Sequence, residues 1–128
     1  MANKKWRVIG IDDEAPMLDL IGTILKSSGL EFTGATRAEQ GLELVRRTKP
    51  DLVLLDLMLP DLDGWEVYQQ LKADEELKHI PIIVITAKVG ALDRVIGQQV
   101  ARVDDYITKP FAPATLVQSI ERVLSAGR

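Results

Sequence analysis

Asp51-Leu52-Val53-Leu54-Leu55-Asp56-Leu57-Met58-Leu59-Pro60 places four consecutive apolar residues directly before an acid, with a proline four residues beyond that acid. A strand with one wet face alternates apolar and polar residues. The unbroken run Leu52–Leu55 therefore predicts a strand covered on both faces, the usual condition of a parallel sheet. Asp56 then stands at the carboxyl end of that strand. Pro60, Asp61, Asp63 and Gly64 are residues that turns use, so a loop follows it.

The same grammar extends in both directions. Short runs over Trp6–Ile11, Glu31–Ala35, Ile82–Ile85 and Tyr106–Thr108 read as further strands, and longer amphipathic stretches separate them. This βαβα rhythm predicts an α/β fold with a parallel sheet and helices on both faces. Pro16 suits a first helical turn, Met17, Leu18, Ile21, Ile24 and Leu25 form a stripe, and Gly29 is a stop signal. Thr36 and Glu39 have capping-box spacing and open a second helix that ends before Pro50. Further helices are expected over about Gly64–Lys72, Ala91–Val100 and Pro113–Leu124, the fourth interrupted by Gly97. That makes five strands and five helices.

A chain of 128 residues that is 46% hydrophobic has material for one core, so a single domain over 1–128 is expected, with its core over about 6–125. Lys and Arg number 16 against 19 Asp and Glu, a net charge of −3, which argues against direct nucleic-acid binding. The absence of Cys excludes disulfides and thiolate sites. The opening Met-Ala-Asn-Lys-Lys-Trp-Arg-Val-Ile-Gly-Ile-Asp-Asp-Glu turns acidic too soon for a signal segment or a membrane span, so a cytoplasmic location is expected.

In an open parallel sheet the site lies beyond the carboxyl ends of the strands. The residues predicted there are Asp12, Asp13, Asp56, Thr86 and Lys109. Each taken singly has a plainer reading as a cap, a strand end or a solvated charge. Together they are three acids, a hydroxyl and an ammonium at four strand ends. Crowded carboxylates repel unless a cation is shared among them, and an all-oxygen set without His or Cys favours Mg²⁺. Such a centre suits phosphoryl transfer, with Asp56 as the nucleophile that becomes an aspartyl phosphate.

Competing motifs fail on context. Asp61-Leu62-Asp63-Gly64 opens like a Ca²⁺ loop, but the twelfth position from Asp61 is Lys72 rather than Glu. It also opens like a haloacid-dehalogenase nucleophile motif, but Asp61 follows Pro60 in a loop instead of ending a strand. The acidic Asp12-Asp13-Glu14 would repel a flavin phosphate, and no nucleotide-binding glycine loop is present. His79, the single histidine, lies at the far end of the fourth strand.

From Arg7 to Leu124 the sequence resembles the receiver domain of two-component response regulators. The resemblance rests on Asp12-Asp13-Glu14, on Asp51 to Gly64, on Ile80-Pro81-Ile82-Ile83-Val84-Ile85-Thr86-Ala87, and on Asp104-Asp105-Tyr106-Ile107-Thr108-Lys109-Pro110-Phe111. It implies a flavodoxin-like doubly wound sheet of order 2-1-3-4-5 and a phosphorelay switch that catalyses only its own phosphorylation and dephosphorylation. It also implies that Asp56 is the acceptor and that Asp13 and Asp56 hold Mg²⁺. Asp12 would support the ion through water, and the Met58 backbone carbonyl would be a further ligand. Lys109 would contact the phosphoryl group, Thr86 would bond to it once attached, and Tyr106 would rotate inward. Lys109-Pro110 would be cis. The donor would be a sensor histidine kinase or phosphotransfer protein. The output would be an unknown protein target meeting the fourth helix, fifth strand and fifth helix, with the chain a monomer or weak dimer.

The chain departs from the family in two places. Arg102-Val103 replaces the usual Gly-Ala, and Thr115 and Ser119 stand where regulators with winged-helix domains carry Glu and Arg in their paired-receiver contact. The rival of another class is a receiver-like module that binds a partner without phosphorylation. Retention of all five site residues argues against it.

Overall fold

A computed structural model describes residues 5–87 and 102–126. Its elements are β1 (Arg7–Ile11), α1 (Ala15–Ser27), β2 (Glu31–Ala35), α2 (Ala38–Thr48), β3 (Leu52–Leu55), α3 (Gly64–Ala73), β4 (Ile82–Thr86), β5 (Asp105–Thr108) and α4 (Pro113–Ala126). The helix expected over Ala91–Val100 lies outside the described residues, and α4 is the fifth helix of the sequence reading. All pairings are parallel and the order is β2-β1-β3-β4-β5, as expected.

The continuous apolar strands divide by parity into two cores. Val8, Leu52, Leu54, Ile83, Ile85 and Ile107 pack with Ile21 and Leu25 of α1 and Leu116 and Ile120 of α4. Their neighbours Ile9, Ile11, Val53, Leu55 and Ile82 pack on the opposite face with Leu42 and Val45 of α2 and Val67 and Leu71 of α3. Successive strand residues face opposite sides, so an apolar run supplies both layers at once.

Strand limits shift slightly from expectation. β1 begins after Trp6, while β4 takes in Thr86 and β5 takes in Asp105 because the β4–β5 ladder runs from Ile83 opposite Asp105 to Thr86 opposite Thr108.

The start of α2 requires a correction. Thr36 and Glu39 form no capping box: Arg37 is the N-cap residue and gives no side-chain cap, and the Thr36 N–H donates to Gln40 Oε1 at 3.2 Å. The free helical amides of Ala38 and Glu39 donate instead to Asp61 Oδ1 and Oδ2, at 2.9 and 3.1 Å. A carboxylate at a helix N-terminus satisfies two orphan donors and complements the dipole, which a local threonine does not match. Those two bonds hold the Asp61 carboxyl below its ordinary range. Asp63 plays the local counterpart, accepting from the Trp65 N–H at 2.8 Å to open α3.

Gly64 starts α3 against the acceptor strand. A Cβ there would lie 2.4 Å from the Leu57 Cα and 2.7 Å from the Asp56 carbonyl oxygen, so no side chain fits. The left-handed backbone expected of glycine after residue 101 is carried by Arg102, at φ 62°.

Candidate functional site

Three strand ends meet at the carboxyl edge of the sheet and are tied through their backbones. The Asp56 N–H donates to the Ile11 carbonyl at 2.9 Å and the Asp12 N–H to the Ala35 carbonyl at 3.0 Å. These bonds extend the β1–β3 and β1–β2 ladders by one residue, so Asp12 and Asp56 stand side by side without a flexible approach. Both are buried, although each is a carboxylate.

Lys109 compensates them. It follows β5, its amide N–H donates to the Thr86 carbonyl at 3.0 Å, and its side chain is only 9% exposed. The ammonium donates to Asp12 Oδ2 at 2.6 Å, Asp56 Oδ2 at 2.8 Å and Glu14 Oε1 at 3.2 Å. The remaining oxygens of the two aspartates take local amides: Asp12 Oδ1 accepts from the Glu14 N–H at 2.8 Å, and Asp56 Oδ1 from the Met58 N–H at 2.9 Å. Burial pushes the Asp12 carboxyl up, against the opposing pull of Lys109 and the Glu14 amide. Burial also disfavours the Lys109 charge, but the bonds to Asp12 and Asp56 outweigh it and hold the ammonium above the ordinary lysine range.

Asp13 is exposed beside this pair. Carboxylate oxygens of Asp12, Asp13 and Asp56 lie within 4.8 Å of one another, close enough for the three to hold a metal ion. The donor set fits a hard divalent cation, since every group is an oxygen and the carboxylates outnumber the ammonium beside them.

The other expected residues fall around the centre. Met58 is held by its N–H, which donates to Asp56 Oδ1, and by an isolated bridge to Asp63, while its side chain is exposed. Thr86 is fully buried at the end of β4. Tyr106 does not join the carboxylates. It is packed with Leu57 and Val84 and is 9% exposed. Lys109-Pro110 is cis, as expected. Ser119 is buried, and its hydroxyl and the Arg122 guanidinium both donate to Asp105 Oδ2, so this acid is engaged within the chain. His79 is exposed.

Two contacts lie beyond what the sequence reading assigns. Glu14 reaches Lys109, and Asp61 caps α2. The signal available for Glu14 was its position directly after the acidic pair, in reach of whatever cation those acids attract.

Comparison with known proteins agrees with this geometry. The family model for the response regulator receiver domain matches residues 8–121, and the chain belongs to that family. The phosphate regulon transcriptional regulatory protein PhoB of Pseudomonas aeruginosa is 42% identical over 117 residues, covering 91% of this chain and 51% of PhoB. The DNA-binding response regulator MtrA of Mycobacterium tuberculosis H37Rv is 38% identical, covering 94% of this chain and 51% of MtrA. The chain thus spans about half the length of these curated relatives. Among solved structures, the CheY-like response regulator receiver domain protein from Methanospirillum hungatei JF-1 superimposes with a TM-score of 0.89 at 27% identity, covering 97% of each chain.

Proposed function

We propose that this domain takes a phosphoryl group onto Asp56 and thereby switches a protein-interaction surface in a two-component pathway. The observation that carries the reading is the Lys109 ammonium bound to two buried carboxylates, Asp12 and Asp56, where three strand ends converge. In the transfer, an Asp56 oxygen forms a bond to phosphorus as the bond to a phosphohistidine nitrogen breaks, and that nitrogen keeps the electron pair. Lys109 orients the phosphoryl oxygens and offsets their charge. Asp13, Asp56 and the Met58 carbonyl would hold Mg²⁺, with Asp12 supporting it through water. The ion would neutralise charge on the carboxylates and the transferring group. Thr86 would bond to the attached phosphoryl group, and the cluster of Leu57, Val84 and Tyr106 would repack in response.

The donor is a sensor histidine kinase or phosphotransfer protein, and the target is a protein. "DNA-binding" describes relatives of whose length this chain spans about half, and the net charge of −3 favours a protein surface as the partner of this domain. The domain acts as a cytoplasmic switch whose only chemistry is its own phosphorylation and dephosphorylation. Among the described residues no helix is long and apolar enough to cross a membrane.

Acetyl phosphate with Mg²⁺ should add one phosphoryl group, read by intact-protein mass spectrometry, and Asp56→Asn should abolish it. Labelling that persists in the variant would put the nucleophile elsewhere. An unlabelled wild-type chain that still binds a partner would favour the phosphorylation-independent module.

A further inference from the structure

A lysine ammonium has three N–H groups, and in Lys109 each has a carboxylate acceptor: Asp12 at 2.6 Å, Asp56 at 2.8 Å and Glu14 at 3.2 Å. None remains for a phosphoryl oxygen. The lysine itself has little freedom to find one, since its side chain is buried and its amide is fixed to Thr86. One of the three carboxylates must give way.

The three are unequal. Asp12 and Asp56 side chains are 5% exposed, so before any cation is bound losing the ammonium would leave a buried charge uncompensated, whereas the Glu14 side chain is 62% exposed and returns to water on release. The Glu14 contact is also the longest. Its backbone cannot follow the side chain, because the Glu14 carbonyl accepts from the Met17 and Leu18 amides at 3.0 and 3.1 Å to begin α1, and its N–H is held by Asp12. Only the side chain is free to swing.

We propose that Glu14 is a positioning residue for the phosphorylation of Asp56: its carboxylate occupies the Lys109 N–H that the incoming phosphoryl oxygen must take. The inference rests on the reading of Asp56 as acceptor. Glu14 holds the ammonium in place in the resting protein and slows uptake, since each transfer begins by breaking this contact.

The test is phosphorylation of the whole domain by acetyl phosphate at saturating Mg²⁺, followed by mass spectrometry. In that reaction the Asp56 oxygen–phosphorus bond forms as the bond from phosphorus to the acetate oxygen breaks, and acetate leaves with the electron pair. Glu14→Gln and Glu14→Ala should each raise the rate constant about two- to fivefold, the range expected for releasing one exposed ion pair, with Mg²⁺ affinity unchanged. The gain should vanish in a Lys109→Met background, because Glu14 acts through that ammonium. If Lys109→Met accepts no phosphoryl group, beryllofluoride affinity of the wild type, the two Glu14 variants, Lys109→Met and the two double variants carries the comparison. Rates equal to or below wild type overturn the proposal. So does a gain that survives in Lys109→Met, which would mean simple repulsion of the anionic donor, and so does weakened Mg²⁺ binding, which would make Glu14 a metal ligand. Wild-type protein that takes no phosphoryl group at all would instead refute the acceptor reading.

Discussion

Arg102 holds φ at 62°, a region in which an L side chain crowds the following carbonyl oxygen at a cost of about 1–2 kcal/mol. Its side chain is exposed. Arg102→Gly should therefore stabilise the fold by roughly 0.5 kcal/mol, the strain relieved less the greater entropy of glycine in the unfolded chain. Thermal unfolding would show it as a rise of a degree or two, and a fall would mean that the arginine makes a contact outweighing its backbone strain. Asp61 gives a prediction with a pH signature. Its folded pKa is depressed by the Ala38 and Glu39 amides, so its contribution is full above the ordinary value of 3.8 and fades as pH falls through the folded value. Asp61→Asn should melt below wild type at pH 7, and the gap should narrow as pH falls below 3.8, where the unfolded chain takes up a proton before the folded carboxyl does. A gap that is constant with pH would remove the charge from the explanation and leave only shape.

At the scale of elements, Lys72 ties the end of α3 to the approach of β4, its ammonium donating to the Lys78 and Ile80 carbonyls at 3.1 and 3.0 Å while lying 5.7 Å from the Tyr68 ring centre. Burial nevertheless pulls its pKa down, so the charge is carried at a net disadvantage. Lys72→Met, which keeps the stem over Tyr68, should change stability by less than about 1 kcal/mol, and Lys72→Ala by more, since it also loses the packing. Equal losses in denaturant titrations would show that the hydrogen bonds dominate. The legibility of the elements follows the range of the forces that make them. Strands such as Leu52–Leu55 announce themselves because burial on both faces is written in consecutive residues. The start of α2 was misread because its cap comes from Asp61, 23 residues beyond Ala38, and sequence spacing reports only caps within a turn. The site divides in the same way. Asp12, Asp13, Asp56, Thr86 and Lys109 were legible as strand ends, whereas the Glu14–Lys109 contact crosses 95 residues and appears only when the sheet is folded.

For the whole molecule, a cation held at the acidic cluster would bind only the folded chain, so Mg²⁺ at about a hundred times its dissociation constant should stabilise by roughly 2.7 kcal/mol. Calorimetry with and without Mg²⁺ should show that shift, and Asp13→Asn should lose most of it while melting no lower than wild type without metal, since a crowded like charge has been removed. An undiminished shift would take Asp13 off the ligand set. Trp65 offers a second measurement, because it packs against the cluster of Leu57, Val84 and Tyr106, whereas Trp6 packs on the opposite core. Beryllofluoride should alter tryptophan emission in wild type and in Trp6→Phe but not in Trp65→Phe. The bond between Lys109 and Asp12 also has a temporal meaning, because it joins residues 97 apart. A ribosome adding about 5–20 residues per second makes Asp12 about 5–20 s before Lys109, the ammonium bonded to it among the described residues. Until then the buried Asp12 and Asp56 lack the Lys109 ammonium that offsets their charge, so closure of the sheet around β1 and β3 is disfavoured. A nascent or truncated chain ending before Lys109 should remain open to proteases, and the buried carboxylate–ammonium centre should come into being only when β5 docks.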